Sequence, residues 1–198
     1  MTPVVLASTS QVRAALLTGA GVAHQAVGSG VDEDEAKRRL LASGAAPREI
    51  AGHLAEAKAL KVSRARPDAI VIGADQTLDL DGELHDKAGD LREARRRLLA
   101  LRGRAHRLHC AVVAARGGES VWRLTESPRL EMRDFSDEFL DGYLARNGAA
   151  ALASVGCYQL EGEGAQLFER IEGDYFAILG LPLLPLLGFL RGQGAIPA

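Results

Sequence analysis

The chain has 198 residues, enough to bury a substantial core without disulfide or metal staples. Its 24 Lys and Arg against 26 Asp and Glu leave a formal net charge of -2, so no bulk field draws it to nucleic acid or to a membrane surface. The only two cysteines, Cys110 and Cys157, argue against a disulfide framework and suit a reducing cytoplasm.

Taken in order, Pro3 to Ala7 is a short Val/Leu-rich run that reads as a buried strand. The N-terminus has no basic segment leading into a long apolar stretch and cleavage site, so no signal peptide is expected. Ser8-Thr9-Ser10 follows, then a helical pattern from Gln11 to Thr18 ended by Gly19. His24 to Val27 reads as a second strand. Val31-Asp32-Glu33-Asp34-Glu35 leads into a helix closed by Ser43-Gly44. Pro47 opens another helix, reaching about Arg64, with Ile50, Leu54, Ala57 and Lys61 predicted along one stripe. Ala69 to Gly73 is a continuous apolar run, hence a central strand. Ala74-Asp75-Gln76 is read as interrupting it, with extended character resuming from Thr77 to Leu80. Asp81-Gly82 is a hairpin turn signal.

A helix is predicted from Asp90 to Leu101. A long antiparallel hairpin should then run from Arg104 to Ala115, through Gly117-Gly118, and back from Glu119 to Arg133. Ser136 caps a helix that Asn147-Gly148 should end near Arg146. The most apolar stretch, Ala177 to Leu190, is too short to span a bilayer. It reads as a buried strand end, a turn at Gly180-Leu181-Pro182 and a core helix. The fold class is mixed α/β, with no internal repeat or linker.

Four polar spots bear chemistry. At Ser8-Thr9-Ser10, backbone amides and hydroxyls at a helix start fit a phosphate, with Arg13 one turn in as a fork of donors; the plainer account is an N-cap and a surface Arg. No glycine-rich phosphate loop exists. Asp75 follows a buried apolar run, at the strand position where open α/β sheets place ligands; it is either a metal carboxylate or a turn cap. The cluster Asp32 to Glu35 reads mostly as a solvated first helical turn, with one member in reach of a metal. Lys58 and Lys87, each taken alone, read as surface lysines. His106, His109 and Cys110 do not make a zinc site, because on a strand His109 points opposite to the other two and no second cluster completes a tetrahedron.

Six segments in order carry a resemblance: LASTSQVRAALL (6–17), VDE (31–33), LAEAKA (54–59), VIGADQTLDLDGELHDK (71–87), LRGRAHRLHCAVVA (101–114) and GCYQLEGEGAQLFERIEGDYFAILGLPLLPLL (156–187). Together they resemble the Maf family of nucleotide pyrophosphatases along essentially the whole chain. The resemblance implies a fold similar to the inosine-triphosphatase type: one domain over residues 1–198, with an elongated mixed sheet, flanking helices and two lobes around a cleft, often as a homodimer. It implies a cytoplasmic enzyme that hydrolyses a nucleoside triphosphate to a monophosphate and diphosphate with Mg²⁺ or Mn²⁺. It also implies a link to arrest of septum formation, under which the alternative is a regulator that binds nucleotide without turnover. By position, Asp75 looks like the catalytic acid residue and Glu33 a second acidic residue, both toward the metal. Ser8, Arg13, Lys58 and Lys87 look like the phosphate-side set, and Gln76 and Glu161 lie where the family selects the base. Two departures stand out. Gln11-Val12 replaces the Pro-Arg that many relatives carry, removing one cation. Glu161, with Gln76, is closer to the 7-methyl-GTP branch than to relatives acting on dTTP and UTP.

Overall fold

A computed structural model describes residues 1–198. The strands are β1 (Val4–Leu6), β2 (Gln25–Ala26), β3 (Ile70–Leu80), β4 (Glu83–His85), β5 (Ala105–Arg116), β6 (Glu119–Glu126), β7 (Arg129–Met132) and β8 (Phe168–Glu172). The helices are α1 (Gln11–Gly19), α2 (Glu33–Ala42), α3 (Pro47–Ala65), α4 (Leu91–Leu101), α5 (Asp137–Ala153), α6 (Tyr175–Ile178) and α7 (Leu183–Gly192). All eight strands form one mixed sheet in the order β2-β1-β3-β5-β7-β8, with β4 on β3 and β6 on β5.

Two long strands, β3 and β5, lie antiparallel from Val71↔Ala115 to Asp79↔Arg107 and run the length of the sheet. Their outer edges are divided. On β3, parallel β1 takes residues 70–72 and antiparallel β4 takes 78–80. On β5, β6 takes residues 110–116 and β7 takes 105–107. Each end of the sheet therefore has its own partners and its own core. Leu6, Leu17, Ile70, Ile72, Val112, Leu181 and Leu186 pack together at one end, under α1 and α7. Leu78, Leu98, Leu101, Leu108, Leu130 and Tyr143 pack at the other, under α4 and α5. The residues between Ala74 of the first core and Leu78 of the second are Asp75, Gln76 and Thr77. Polar side chains thus sit where the two cores part.

The structure corrects several expectations. Ala74-Asp75-Gln76 does not interrupt β3, because Asp75 and Gln76 keep their pairing with Ala111 and Cys110; the polarity belongs to the side chains, not to a break in the ladder. The buried stripe of α3 holds Ile50, Ala51, Leu54, Ala55, Lys58, Ala59 and Val62, whereas Ala57 is only half-buried and Lys61 is exposed. Small residues let the helix lie flat on the sheet, so the seam is set by alanines and not by the larger side chains. The long hairpin breaks at Ser127-Pro128, after which β7 continues along the same edge of β5; proline has no N–H for a ladder. Asn147 (φ -117°, ψ 15°) kinks α5 without ending it, and its Nδ2 donates to the Tyr143 carbonyl at 3.1 Å and to Glu163 at 2.7 Å. The expected strand end at Ala177 is the short helix α6, capped by Asp174 accepting from the Ala177 amide at 2.7 Å. The Asp81-Gly82 turn holds both residues at positive φ, 55° and 86°, as a tight hairpin between β3 and β4 requires. No helix is long and apolar enough to cross a membrane.

Candidate active site

A cleft of about 1110 Å³ opens at the junction of the two cores. All eight residues singled out from the sequence line it: Ser8, Arg13, Glu33, Lys58, Asp75, Gln76, Lys87 and Glu161. They come from six separate segments of chain, brought together by the crossing of β3 with the ends of α1, α2 and α3.

The acidic centre is made by β3 and α3. Gly73 lets the helix approach: a Cβ there would lie 2.2 Å from the Ala55 carbonyl oxygen and 2.6 Å from the Ala59 nitrogen. At that closeness Lys58, one turn along, meets Asp75, two residues along the strand on the same face. Its Nζ donates to Asp75 Oδ1 at 2.6 Å and pairs with Glu33 Oε2 at 2.8 Å. Lys58 is 5% and Asp75 6% exposed, which overturns the surface-lysine account of Lys58. A lysine this deep needs paired charge, and two carboxylates supply it. Burial raises the pKa of Asp75 above its ordinary value, outweighing the lowering by the Lys58 and Arg13 charges. Asp75 Oδ2 and Glu33 Oε1 accept no hydrogen bond from the protein.

The phosphate-type loop closes one end. Ser10 caps α1 by accepting from the Arg13 amide at 3.4 Å, and Ser8 Oγ accepts from the Ser10 amide at 3.2 Å. Arg13 differs from its expected role. Its Nε donates to the Gly180 carbonyl at 2.7 Å, and its Nη1 to the Ala74 carbonyl at 2.9 Å and Ser8 Oγ at 3.3 Å. Most of the fork therefore ties the loop to β3 and to the turn before α7; only Nη2 is unengaged. Lys87, in the loop after β4, is exposed and has no ion pair, as a surface lysine would.

The opposite end is apolar with polar ends. Leu108, Val155, Tyr158, Leu160 and Ile178 line it beside Gln76 and Glu161. Gln76 Nε2 donates to the carbonyls of Ala177 and Ile178 at 2.9 and 3.0 Å, so its Oε1 is the group left to meet a ligand. Glu161 is exposed and unpaired, a second acceptor. Beneath them the Tyr158 hydroxyl and His106 Nε2 are 2.7 Å apart.

A family model described as Maf-like protein matches residues 3–193. This chain belongs to that family. Among its Maf-like relatives, a protein of Caulobacter vibrioides named nucleoside triphosphate pyrophosphatase is 62% identical over 99% of this chain and 98% of its own length. One of Granulibacter bethesdensis with the same name is 54% identical, over 97% and 98%. One of Rhizobium meliloti named 7-methyl-GTP pyrophosphatase is 52% identical, over 98% of each.

A divalent cation fits this Maf-like cleft on its own donors. Two carboxylates each keep one oxygen free of protein partners at the same spot. No three His, Cys, Asp or Glu side chains converge as a complete metal set. A cation here would thus share its ligation with substrate oxygens, as Mg²⁺ does. Sequence reasoning missed Lys37 and passed over Asp86, both on the cleft wall and paired at 2.7 Å. The available signal was spacing: Lys37 is one helical turn beyond Glu33, on the same face.

Proposed function

We propose that this Maf-like protein is a nucleoside triphosphate pyrophosphatase, hydrolysing its substrate to a nucleoside monophosphate and diphosphate. One observation carries the reading: a nearly neutral chain brings Lys58, Lys87, Arg13 and a buried carboxylate, Asp75, to one cleft whose far end is apolar. That is the layout for a polyphosphate with a planar base. The names of the relatives support it.

In this mechanism the Ser8-Thr9-Ser10 loop and Lys87 seat the phosphates. Asp75 Oδ2 orients the attacking water and takes its proton as the water oxygen bonds to the α-phosphorus and the bond to the α–β bridging oxygen breaks. Its raised pKa suits a base, and Lys58, fixed between Asp75 and Glu33, holds it in line. Charge builds on the departing diphosphate, which Lys87 and the positive field of Arg13 stabilise. Asp75 and Glu33 would hold a divalent cation, Mg²⁺ or Mn²⁺, which when bound neutralises phosphate charge. We take Gln76 Oε1 and Glu161 to read the base. Both accept hydrogen bonds, which matches the N1–H and N2–H₂ donors of guanine and favours guanosine or 7-methylguanosine triphosphate. The reading includes a single two-lobed domain acting in the cytoplasm as a homodimer. A regulator that binds nucleotide without turnover would have no use for the free oxygen of Asp75.

Diphosphate release should be measured with Mg²⁺ over a panel of ordinary and modified nucleoside triphosphates. Release from guanine nucleotides above the others is expected. Nucleotide binding without diphosphate release from any of them would overturn the reading. Glu161→Gln should shift preference away from guanine bases, and an unchanged profile would remove Glu161 from base selection.

A further inference from the structure

Helix α2 buries none of its residues, yet it sends two charges into the cleft. Glu33 reaches Lys58, and one turn on Lys37 donates to both oxygens of Asp86, at 2.7 and 2.8 Å. The pair spans from α2 to the loop that carries Lys87. Its two halves are unlike: the Lys37 side chain is 17% exposed, Asp86 51%. Exposed ion pairs contribute little to stability, so fold stability gives no reason to sink a lysine here. Lys37 also feels Asp75 and Glu33. Burial, the largest single influence, acts to lower its pKa, but the hydrogen bond to Asp86 and the charges of Asp86, Asp75 and Glu33 together raise it.

The cations of the cleft differ in what they can still bind. Lys58 is shared by two carboxylates, and Arg13 has given Nε and Nη1 to carbonyl and hydroxyl oxygens. Lys87 is free. Lys37 has one partner, and that partner can turn to water. We propose that Lys37 is a further phosphate-binding residue: it exchanges the Asp86 carboxylate for an oxygen of the terminal phosphates of the substrate. Asp86 is then a competing anion that keeps the ammonium aimed at the cleft. One charge-assisted hydrogen bond replaces another, so the exchange costs little. The proposal rests on the polyphosphate reading of the site.

Its test exploits a difference in sign. Inorganic tripolyphosphate is titrated by calorimetry, in magnesium-containing buffer, into the wild type and the Lys37→Met, Lys37→Arg and Asp86→Asn variants, with nucleotide hydrolysis followed in parallel. Lys37→Met should weaken tripolyphosphate binding roughly tenfold and raise KM alike. Lys37→Arg should restore most of it and serves alone if the methionine variant does not fold. Asp86→Asn should tighten binding about threefold by removing the competitor. A pair that merely braces the loops predicts that both Lys37→Met and Asp86→Asn weaken binding, and that result would overturn the proposal. So would unchanged affinity in both variants, or a wild type that does not bind tripolyphosphate. Opposite shifts in a protein that hydrolyses no nucleotide would leave Lys37 assigned and sink the pyrophosphatase reading instead.

Discussion

At the scale of single residues, Lys58 holds Asp75 and Glu33 together, and the consequences of removing it differ from those of neutralising Asp75. Asp75→Asn keeps the shape and the hydrogen-bond acceptor for Lys58 but cannot take a proton. Turnover should fall at least about a hundredfold, with circular dichroism and unfolding temperature near those of the wild type; near-normal rates would take Asp75 out of catalysis. Lys58→Met leaves a carboxylate 6% exposed with no counter-charge. Stripping one partner from a buried pair costs about 3 kcal/mol or more, so urea unfolding should show a clear loss of stability together with lost activity. A stable but inactive Lys58→Met would mean that Asp75 is better solvated than its burial indicates. Both acidic partners were visible in the sequence as charged residues next to apolar runs. Their shared lysine was not, because an Ala-rich helix gives no sign of which face the sheet will cover.

Among the elements, the contact of α3 with β3 sets the geometry of the acidic centre. Gly73 is its key, since any side chain would drive into helix backbone at the Ala55 carbonyl. Gly73→Ala should destabilise by about 3 kcal/mol and, in whatever fraction folds, lift Lys58 away from Asp75. Equilibrium unfolding with parallel activity measurements checks both, and a stable, fully active Gly73→Ala would show that α3 can recede without cost. Helix α2 behaves differently. It buries nothing and is held through Glu33–Lys58 and Lys37–Asp86, so its place depends on charges belonging to other elements. The kink of α5 makes a related point. Asn147-Gly148 has the composition of a helix end, but Tyr143 and Glu163 satisfy the Asn147 side chain and the helix continues to Ala153.

On the scale of the whole molecule, the two cores on one pair of long strands leave a polar seam between them, and beside the seam lies a buried titratable group. His106 is 3% exposed, and burial, with a smaller effect of His85, lowers its pKa to about 4. The unfolded chain binds its proton near pH 6.5, so between there and about pH 4 the unfolded state holds more protons and stability falls as pH falls. The stabilising contribution is complete above pH 6.5 and gone below about 4, a change of up to about 3 kcal/mol. Thermal unfolding across this window should therefore be steeper in the wild type than in His106→Gln, which retains a partner for Tyr158 but no titration; parallel curves would show that His106 is charged or exposed in the fold. The amino-acid sequence by itself determined the mixed α/β class, most of the strands and helices, the hairpin at Asp81-Gly82 and which polar residues gather at the cleft. These follow from local periodicity, turn chemistry and a recognisable order of motifs. Only the tertiary structure decided that β3 runs unbroken through Asp75, that Lys58 is buried between two carboxylates, that Arg13 spends its donors on carbonyls and that Lys37 faces Asp86. Each of these depends on which partner lies across the fold, and distances through space between segments far apart in the chain are not written in any one of them.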